Sequence, residues 1–328
     1  MKKKKKSYDY ARFGYFFSIP FVITWLIFQL YPILYTLIIG FTDLEGAGKT
    51  EWNILWSDLF ANFVTVVSAN QFQIAFKNTF IIWILNFVPQ IVLALILTSW
   101  FTDRRTVIKG QGFFKVIFYM PNIITAATVA LLFFQFVMYP KGAVNDLLQL
   151  LHIFKEPYQF TQDGMVSKGI VIFIQTWMWY GYTAIVLISG VLGISPELFE
   201  AAEVDGANRY QTFFRITIPC IKTMLLFTLV TSLIGGLNMF DIPKLFLDGG
   251  PDNATITTAV YIYKQAFSGK YRYNTAAAAS VIMFIIIVVL SAIVFFLLRD
   301  KDEAELKKII RQQEKEYKRK QKALKKGL

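Results

Sequence analysis

Long apolar segments alternate with shorter polar ones along the chain, and their length predicts helices that cross a membrane. A helix needs about 20 residues to span the hydrocarbon core of a bilayer. Six segments reach that length: Phe13–Phe41, Phe76–Phe101, Phe113–Tyr139, Gly169–Ile194, Ile221–Phe240 and Thr275–Leu298. The pattern therefore predicts an all-α integral membrane protein with six transmembrane helices.

The six segments differ in polarity. The last one, which contains AAAASVIMFIIIVVLSAIVFFLL, carries no charged residue. The second contains Asn86, Pro89 and Gln90. Polar residues inside a span usually face protein or water instead of lipid. We expect Asn86 and Gln90 to do so.

The composition agrees with a membrane protein and suggests an orientation. The 328 residues are 55% hydrophobic, and the formal net charge is +12. Lys and Arg near helix ends are retained on the cytoplasmic side. With both termini placed in the cytoplasm, 25 of the 34 basic residues fall on that side. The positive charge is thus an orientation signal, and no arginine and aromatic interleaving points to nucleic acid.

These assignments divide the chain into three parts. Residues 1–12 form a basic N-terminal tail, residues 13–298 the membrane domain, and residues 299–328 a basic C-terminal tail. Lys2–Lys6 resembles the start of a secretory signal, but the apolar stretch that follows is longer than the 7 to 15 residues of a signal. We therefore expect the first helix to remain in the mature protein.

The reactive side chains exclude two kinds of site. The chain has a single cysteine, Cys220, and a single histidine, His152. One cysteine cannot form an internal disulfide, and one histidine cannot form a histidine-cluster metal site. We expect both residues to have structural roles, and we predict no metal site.

The segment GAGKT at positions 46–50 resembles part of a phosphate-binding loop. The complete motif needs a glycine five residues before Gly48. Asp43 stands there, and its carboxylate would repel a phosphate. The orientation also places this segment outside the cell. We therefore predict a flexible turn here and no nucleotide site.

The connecting segment, residues 194–219, lies between the fourth and fifth predicted spans and reads ISPELFEAAEVDGANRYQTFFRITIP. Ser195 and Pro196 predict a helix start, with serine as the N-cap. Gly206 predicts the end of this short helix, and a second helix is expected to run to Pro219. The segment is expected on the cytoplasmic side, and its acidic residues favour docking on another protein over an amphipathic helix on anionic lipid, which would be basic.

Here a family resemblance becomes specific. EAAEVDGA at 200–207, followed by Phe213, Ile216 and Pro219, resembles the EAA loop of permease subunits of binding-protein-dependent ABC importers. KGQGFFKVIFYMPNII at 109–124, GAVNDL at 142–147 and LFLDGGPDNAT at 245–255 resemble the carbohydrate uptake group of MalF/UgpA-like sugar permeases. Thr223 departs from that pattern, since many members have a proline there.

The resemblance implies a division of tasks in a prokaryotic (inner) cell membrane. An extracytoplasmic solute-binding protein would deliver a carbohydrate, and this chain with a second permease subunit would form the path through the lipid. A cytoplasmic ABC ATPase dimer would bind ATP and Mg²⁺, so this chain is expected to bind no cofactor and to catalyse no reaction. The implied coupling residues are Glu200, Ala201, Ala202, Asp205, Gly206 and Ala207.

A sugar path needs hydrogen-bonding groups and aromatic rings inside the membrane. A buried hydroxyl without a partner costs about 1–3 kcal/mol. Anchoring at the membrane interface and packing are the alternative roles for the aromatic residues. The candidates, from the fourth and fifth spans, are Gln175, Trp177, Trp179, Tyr180, Tyr182, Asn238 and Asp241.

The sequence leaves three alternative functions open. An ABC permease of this group could carry a non-sugar solute such as glycerol phosphate. An ion-coupled secondary carrier would need a coupling residue within a span, and the predicted spans are nearly free of charge. A membrane scaffold or sensor would transport nothing.

Overall fold

The computed structural model describes residues 11–106, 108–298, 310 and 312–317. Within these ranges the chain forms helices and loops, and its single strand-like pairing is an isolated antiparallel bridge between Thr42 and Ile54. The predicted all-α class is therefore confirmed. Residues 1–10 and most of the chain after Leu298 lie outside the described residues, so the character of both basic tails stays a prediction.

The helices follow one another with short connections. Two π-helical turns, Leu26–Leu30 and Phe213–Thr217, interrupt the α-helical series. In chain order the α-helices are α1 Ala11–Trp25, α2 Tyr31–Ile39, α3 Ala61–Ser68, α4 Asn70–Thr102, α5 Gln111–Ile123, α6 Ala126–Phe136, α7 Ala143–Leu150, α8 Gly164–Leu192, α9 Pro196–Val204, α10 Arg209–Thr212, α11 Ile218–Cys220, α12 Lys222–Leu237, α13 Asp241–Leu247, α14 Thr258–Phe267 and α15 Tyr273–Leu298.

Five helical stretches in the described residues are long and apolar enough to cross a membrane, and a bent helix pair is a sixth candidate. The five are Phe13–Ile39, Asn70–Thr102, Gly164–Leu192, Lys222–Leu247 and Tyr273–Leu298. The predicted six spans are obtained when the bent pair, α5 with α6, is counted as one. The chain is a multi-pass membrane protein.

The third predicted span, Phe113–Tyr139, is not one continuous helix, and that part of the prediction was wrong. Helices α5 and α6 meet at 90°. Ile124 and Thr125 between them have extended backbones, and the Thr125 hydroxyl accepts a hydrogen bond of 3.3 Å from the Thr128 N–H. Pro121 and Asn122 just before the break favour a helix end, and Thr125 caps the new helix.

Helix α8 begins at Gly164, five residues before the predicted start at Gly169. The Asp163 carboxylate explains the earlier start. Its Oδ1 accepts hydrogen bonds from the N–H groups of Met165 at 2.9 Å and Val166 at 3.0 Å. These donors have no partner inside the helix, so an aspartate at the N-cap stabilises the first turn.

The chain forms two compact units. Among the described residues, one contains 11–76 together with Thr258–Ile285, and the other contains Lys77–Thr257 together with those from Ile286 onward. In the first unit, the buried Asn62 amide donates to the carbonyls of Gly40 at 3.0 Å and Thr42 at 2.8 Å. It also accepts from the Asn274 side chain at 3.2 Å, which connects α3 to the start of α15.

In the second unit, α5 crosses α8 at very short distance. A Cβ atom placed on Gly181 would lie 1.8 Å from the Phe118 carbonyl oxygen, so only glycine permits this crossing. Two buried apolar clusters stabilise the unit. One includes Ile82, Val129, Ile174 and Ile242, and the other includes Ala94, Leu187, Val191 and Ile221.

Candidate functional site

A cavity of about 430 Å³ lies within the second unit, and residues of α4, α8 and α12 and the start of α13 form most of its wall. Its polar lining consists mainly of uncharged groups. Amides come from Asn86, Gln90, Gln175 and Asn238, and hydroxyls from Tyr182, Thr183, Thr228, Thr231 and Ser232. Aromatic rings come from Trp83, Trp179, Phe227 and Phe240. Among the described lining residues, Asp241 is the single charged one.

Two contacts fix α4 against α8 at the cavity. The Gln90 amide donates to the Thr183 hydroxyl at 2.8 Å, and both residues are buried. The Thr176 hydroxyl lies 3.3 Å from the Asn86 carbonyl oxygen. Pro89 lacks an N–H and disturbs the backbone ladder of α4 at this level. The polar contacts thus hold the helix where its own hydrogen bonding is weakest.

Another part of the wall comes from the end of α12. A Cβ atom on Gly236 would lie 2.0 Å from Cδ1 of Trp83, so the indole rests directly on the glycine backbone. The Trp83 indole N–H donates to the Ser232 hydroxyl at 3.3 Å. The chain then leaves helical geometry after Leu237 and starts α13 at Asp241. This break places Asn238 and Asp241 on the cavity wall.

Two amides on the wall have unused hydrogen-bonding capacity. Asn86 is 5% exposed and Gln175 is 8% exposed. Neither side-chain amide forms a hydrogen bond with the described residues. Buried amides normally have partners. Both groups therefore remain able to bind a polar molecule in the cavity.

The candidate residues predicted from the sequence separate by helix face. Gln175, Asn238 and Asp241 line the cavity, as do Trp179 and Tyr182. Trp177 and Tyr180 do not: Trp177 packs against Phe133 with ring centroids 5.6 Å apart, and Tyr180 against Phe118 at 6.2 Å. Positions 175, 179 and 182 share one face of a 3.6-residue helix, whereas 177 and 180 lie on another. Trp177 and Tyr180, which were predicted as residues of the substrate path, therefore lie outside the lining of this cavity.

Part of the cavity wall was not predicted from the sequence pattern. Asn86, Gln90 and Trp83 were not assigned to the path, although polar residues in an apolar span are a signal for an interior position. The hydroxyl groups of α12 gave no comparable signal, because Ser and Thr are common in transmembrane helices and can bond to their own backbone.

The connecting segment forms α9 before Gly206 and, after it, α10, the second π-helical turn and α11. Helix α9 ends with the Ala207 N–H donating to the Ala202 carbonyl at 2.9 Å, and Gly206 has φ +73°, which favours glycine. Asn208 and Gln211 then form a reciprocal capping box at the start of α10. The predicted helix end at Gly206 is confirmed. The predicted side-chain cap is wrong: Ser195 occupies the N-cap position, but its hydroxyl makes no capping bond.

The predicted coupling residues differ in exposure. The Ala202 side chain is buried, and Ala207 is half-buried. The exposed members are Glu200, Ala201, Asp205 and Gly206. Large apolar side chains nearby are exposed as well, including Leu198, Val204 and Tyr210. A carboxylate beside exposed apolar groups is a surface suited to protein contact.

Basic residues join the connecting segment to the residues that follow α4. Arg105 Nε lies 3.1 Å from Glu203 Oε1, and Arg105 Nη2 donates to the Ala207 carbonyl at 2.6 Å. Arg209 Nε lies 3.4 Å from Asp103 Oδ2. The two elements are thus in direct polar contact.

The comparison with known families identifies the chain at this point. The sequence profile of the family "Binding-protein-dependent transport system inner membrane component" matches residues 61–301. The chain belongs to this family. The match includes the cavity and the connecting segment, and the family consists of transport components, as the resemblance implied.

Several proteins that are similar to this permease are named for sugar transport. The lactose transport system permease protein LacF of Rhizobium radiobacter is 30% identical over 83% of this chain and 89% of its own length. The crystal structure of a bacterial ABC transporter involved in the import of the acidic polysaccharide alginate matches with a TM-score of 0.76 and 26% identity, covering 89% of this chain and 97% of the other. A structure of the bacterial alginate transporter in complex with alginate pentasaccharide-bound periplasmic protein matches with a TM-score of 0.74 and 28% identity, over 89% and 96% of the chains.

The GGPDNAT segment of this family member is fixed to its helices. The Asn78 amide donates to the Asn253 carbonyl at 2.8 Å and accepts from the Lys168 ammonium at 2.8 Å. The Thr257 hydroxyl donates to the Met239 carbonyl at 2.7 Å, next to the cavity wall. The segment is therefore joined directly to α4, whose Asn78 also contacts α8, and Thr257 just after the segment contacts the residues that follow α12.

The GAGKT segment forms a turn. The Gly46 N–H donates to the Tyr271 carbonyl at 2.9 Å, and the next helix begins only at Ala61. A phosphate-binding loop leads directly into a helix, whose N-terminal N–H groups bind the phosphates. The local geometry agrees with the predicted turn.

Proposed function

We propose that this chain is the permease subunit of an ATP-driven importer and that its cavity binds an uncharged saccharide. The observation that carries the proposal is the pair of buried amides without described partners, Asn86 and Gln175, on the wall of a 430 Å³ cavity. Ligand sites usually have volumes of about 300–1,000 Å³ and a few placed polar groups. Amides donate and accept, so each can satisfy a sugar hydroxyl.

The apolar part of the wall supports the same ligand class. A pyranose has apolar C–H faces between its hydroxyl groups, and these faces pack against flat aromatic rings. Trp83 and Trp179 supply such rings beside the amides. This combination suits a molecule that has both hydroxyl groups and apolar faces.

The charge of the wall favours a neutral molecule over an anion. Asp241 is the single charged residue among the described lining residues, and it is acidic. A buried anion is best offset by a paired cation, and the described lining residues supply none. Glycerol phosphate and uronate sugars are therefore poor ligands for this wall. The similar protein LacF is named for lactose, a neutral sugar. The matched transporter structure is described as importing an acidic polysaccharide.

The energy for transport enters through other subunits in this proposal. The exposed Glu200, with Leu198 and Val204, docks on a cytoplasmic ATPase dimer, which binds ATP and Mg²⁺. A second permease subunit completes the path, and an extracytoplasmic solute-binding protein delivers the saccharide. Both termini of this chain then lie in the cytoplasm, in the inner membrane of a prokaryote. Because the chain belongs to a family of transport-system components, we propose neither an ion-coupled carrier nor a non-transporting scaffold.

Ligand charge is tested by direct binding to the purified complex without its solute-binding protein, so that receptor selectivity does not enter. The probes are a neutral disaccharide and its C6-oxidised uronate. We expect the uronate to bind at least about tenfold more weakly, a difference of about 1.4 kcal/mol, and Asp241→Asn to reduce that difference. Equal or tighter binding of the uronate would contradict the neutral-saccharide proposal.

Coupling is tested in proteoliposomes that contain the full complex and saccharide-loaded solute-binding protein. Glu200→Ala and Gly206→Pro are expected to lower both saccharide uptake and stimulated ATP hydrolysis. Glu197→Ala is the matched control, since Glu197 is an exposed glutamate on the same helix. Unchanged uptake in Glu200→Ala and Gly206→Pro would contradict a coupling role of the connecting segment.

A further inference from the structure

The connecting segment and the end of α4 hold each other through reciprocal contacts. Arg105, from the residues after α4, reaches the segment, and Arg209, from the segment, reaches back to Asp103. Each arginine also approaches a backbone carbonyl of the opposite element, Arg105 at Ala207 and Arg209 at Ser99, with distances of 2.6 and 3.4 Å. Each of the two elements therefore supplies one arginine that binds the other element.

Arg105 contacts both sides of the glycine turn. Its Nε pairs with Glu203 in α9, before Gly206, and its Nη2 binds the carbonyl of Ala207, after Gly206. Arg209 belongs to α10. Arg104 adds a cation over the Phe199 ring of α9, 5.0 Å from its centroid. The end of α4 is thus attached to α9 and α10 together.

Helix α4 connects these contacts with the cavity. It ends at Thr102, and Gln90 on the same helix lines the cavity. The 12 residues between Gln90 and Thr102 rise about 18 Å in α-helical geometry. A displacement of the connecting segment that moves Asp103 would therefore be carried along α4 to the cavity wall.

We propose that Asp103, Arg105, Glu203 and Arg209 form an ionic clamp that passes movement of the connecting segment to α4. The connecting segment is covalently continuous with α8 and α12. The clamp would provide an additional connection, through which movement of the segment reaches the cavity by way of α4. Its members are positioning residues, since they lie outside the cavity lining. The proposal rests on the coupling function proposed above.

The side-chain exposures suit a device that positions and does not merely stabilise. Arg105 and Glu203 are 40% and 51% exposed, so their pairing adds little to folding stability. Asp103 is only 11% exposed and so is less screened by solvent. Disruption of the exposed Arg105–Glu203 pair should therefore affect transmission more than folding.

The test measures saccharide transported per ATP hydrolysed by the full complex in proteoliposomes. Arg105→Glu is expected to reduce this ratio roughly threefold or more, because it places like charges at Glu203. The combined variant Arg105→Glu with Glu203→Arg is expected to recover most of the ratio. Lys109→Glu is the matched control, since it reverses the same charge on an exposed residue of the same linker.

The second pair provides an independent variant. Arg209→Asp should lower the same ratio, and Asp103→Arg combined with it should restore it, while copurification of the ATPase shows that the complex still assembles. A ratio equal to wild type in Arg105→Glu and Arg209→Asp would overturn the clamp. A double reversal that restores nothing would also overturn it. Glu200→Ala separates the two proposals, because a normal Glu200→Ala complex contradicts the coupling function itself.

Discussion

The Gln90 amide and the Thr183 hydroxyl form a buried hydrogen bond of 2.8 Å that joins α4 to α8 at the cavity wall. Both residues lie in long apolar helices, where a polar side chain without a partner is costly. The contact thus holds together the two helices that supply Asn86 and Gln175, the amides without described partners.

Thr183→Val should destabilise the protein by about 1–2 kcal/mol, because it keeps the side-chain shape and leaves the Gln90 amide without its acceptor. Thermal unfolding of the purified protein in detergent checks this. Ser189→Ala is the control: Ser189 lies on the same helix, but its hydroxyl bonds only to the Ile185 carbonyl among the described residues. An equal melting temperature for Thr183→Val and wild type would contradict the prediction.

Gly181→Ala should lower stability by about 1–3 kcal/mol, since the added Cβ meets the Phe118 backbone at 1.8 Å and backbone cannot move aside cheaply. Gly169→Ala on the same helix has open space around its Cβ. It should be neutral or stabilising by up to about 1 kcal/mol, because alanine has the higher helix propensity. Only Gly181→Ala should therefore lower the melting temperature, and an equal decrease in both variants would contradict the crossing geometry.

Gly236→Ala should displace Trp83 from the cavity wall, because its Cβ would lie 2.0 Å from the indole ring. The neighbouring Gly235→Ala meets nothing within 4 Å and makes the same chemical change. We expect a lower melting temperature and a changed accessibility of tryptophan fluorescence to a quencher only in Gly236→Ala. Identical quenching in both variants would contradict the close packing.

Acid should weaken the N-terminal cap of α8. The hydroxyl of Tyr158 and the N–H of Val166 lower the pKa of Asp163 below its ordinary value of 3.8. A carboxyl group whose pKa is lowered by folding stabilises the protein above its unfolded pKa, and this contribution is lost as the pH falls through the lower folded pKa. The stabilisation should therefore be complete near neutral pH and decline below about pH 4.

Asp163→Asn tests this pH dependence. The variant should melt at a lower temperature than wild type near pH 7, and the difference should shrink as the pH falls below about 4. Asp146→Asn is a suitable control, because Asp146 is an exposed carboxylate in the first turn of α7 with no described side-chain partner. A difference that is constant with pH would show that the Asp163 charge is not responsible.

Local signals predicted several features correctly. The spans followed from apolar length, because the hydrocarbon thickness of a bilayer requires about 20 helical residues whatever the fold. The end of α9 followed from Gly206, because a positive φ is a property of the residue and its neighbours. The resemblance at 200–207 and 245–255 likewise needed no coordinates, since the residue types and spacings identify the family.

Other features depended on helix packing. Trp177 and Trp179 are equally aromatic and two residues apart, yet only Trp179 lines the cavity. Which helix face is turned inward depends on neighbouring helices. The pairing of Arg105 with Glu203, 98 residues apart, has the same origin. The sequence by itself determined the membrane class, the approximate spans and the family, because these depend on local composition. Tertiary structure alone decided which polar groups meet in the cavity, because contacts between distant residues depend on how the helices pack.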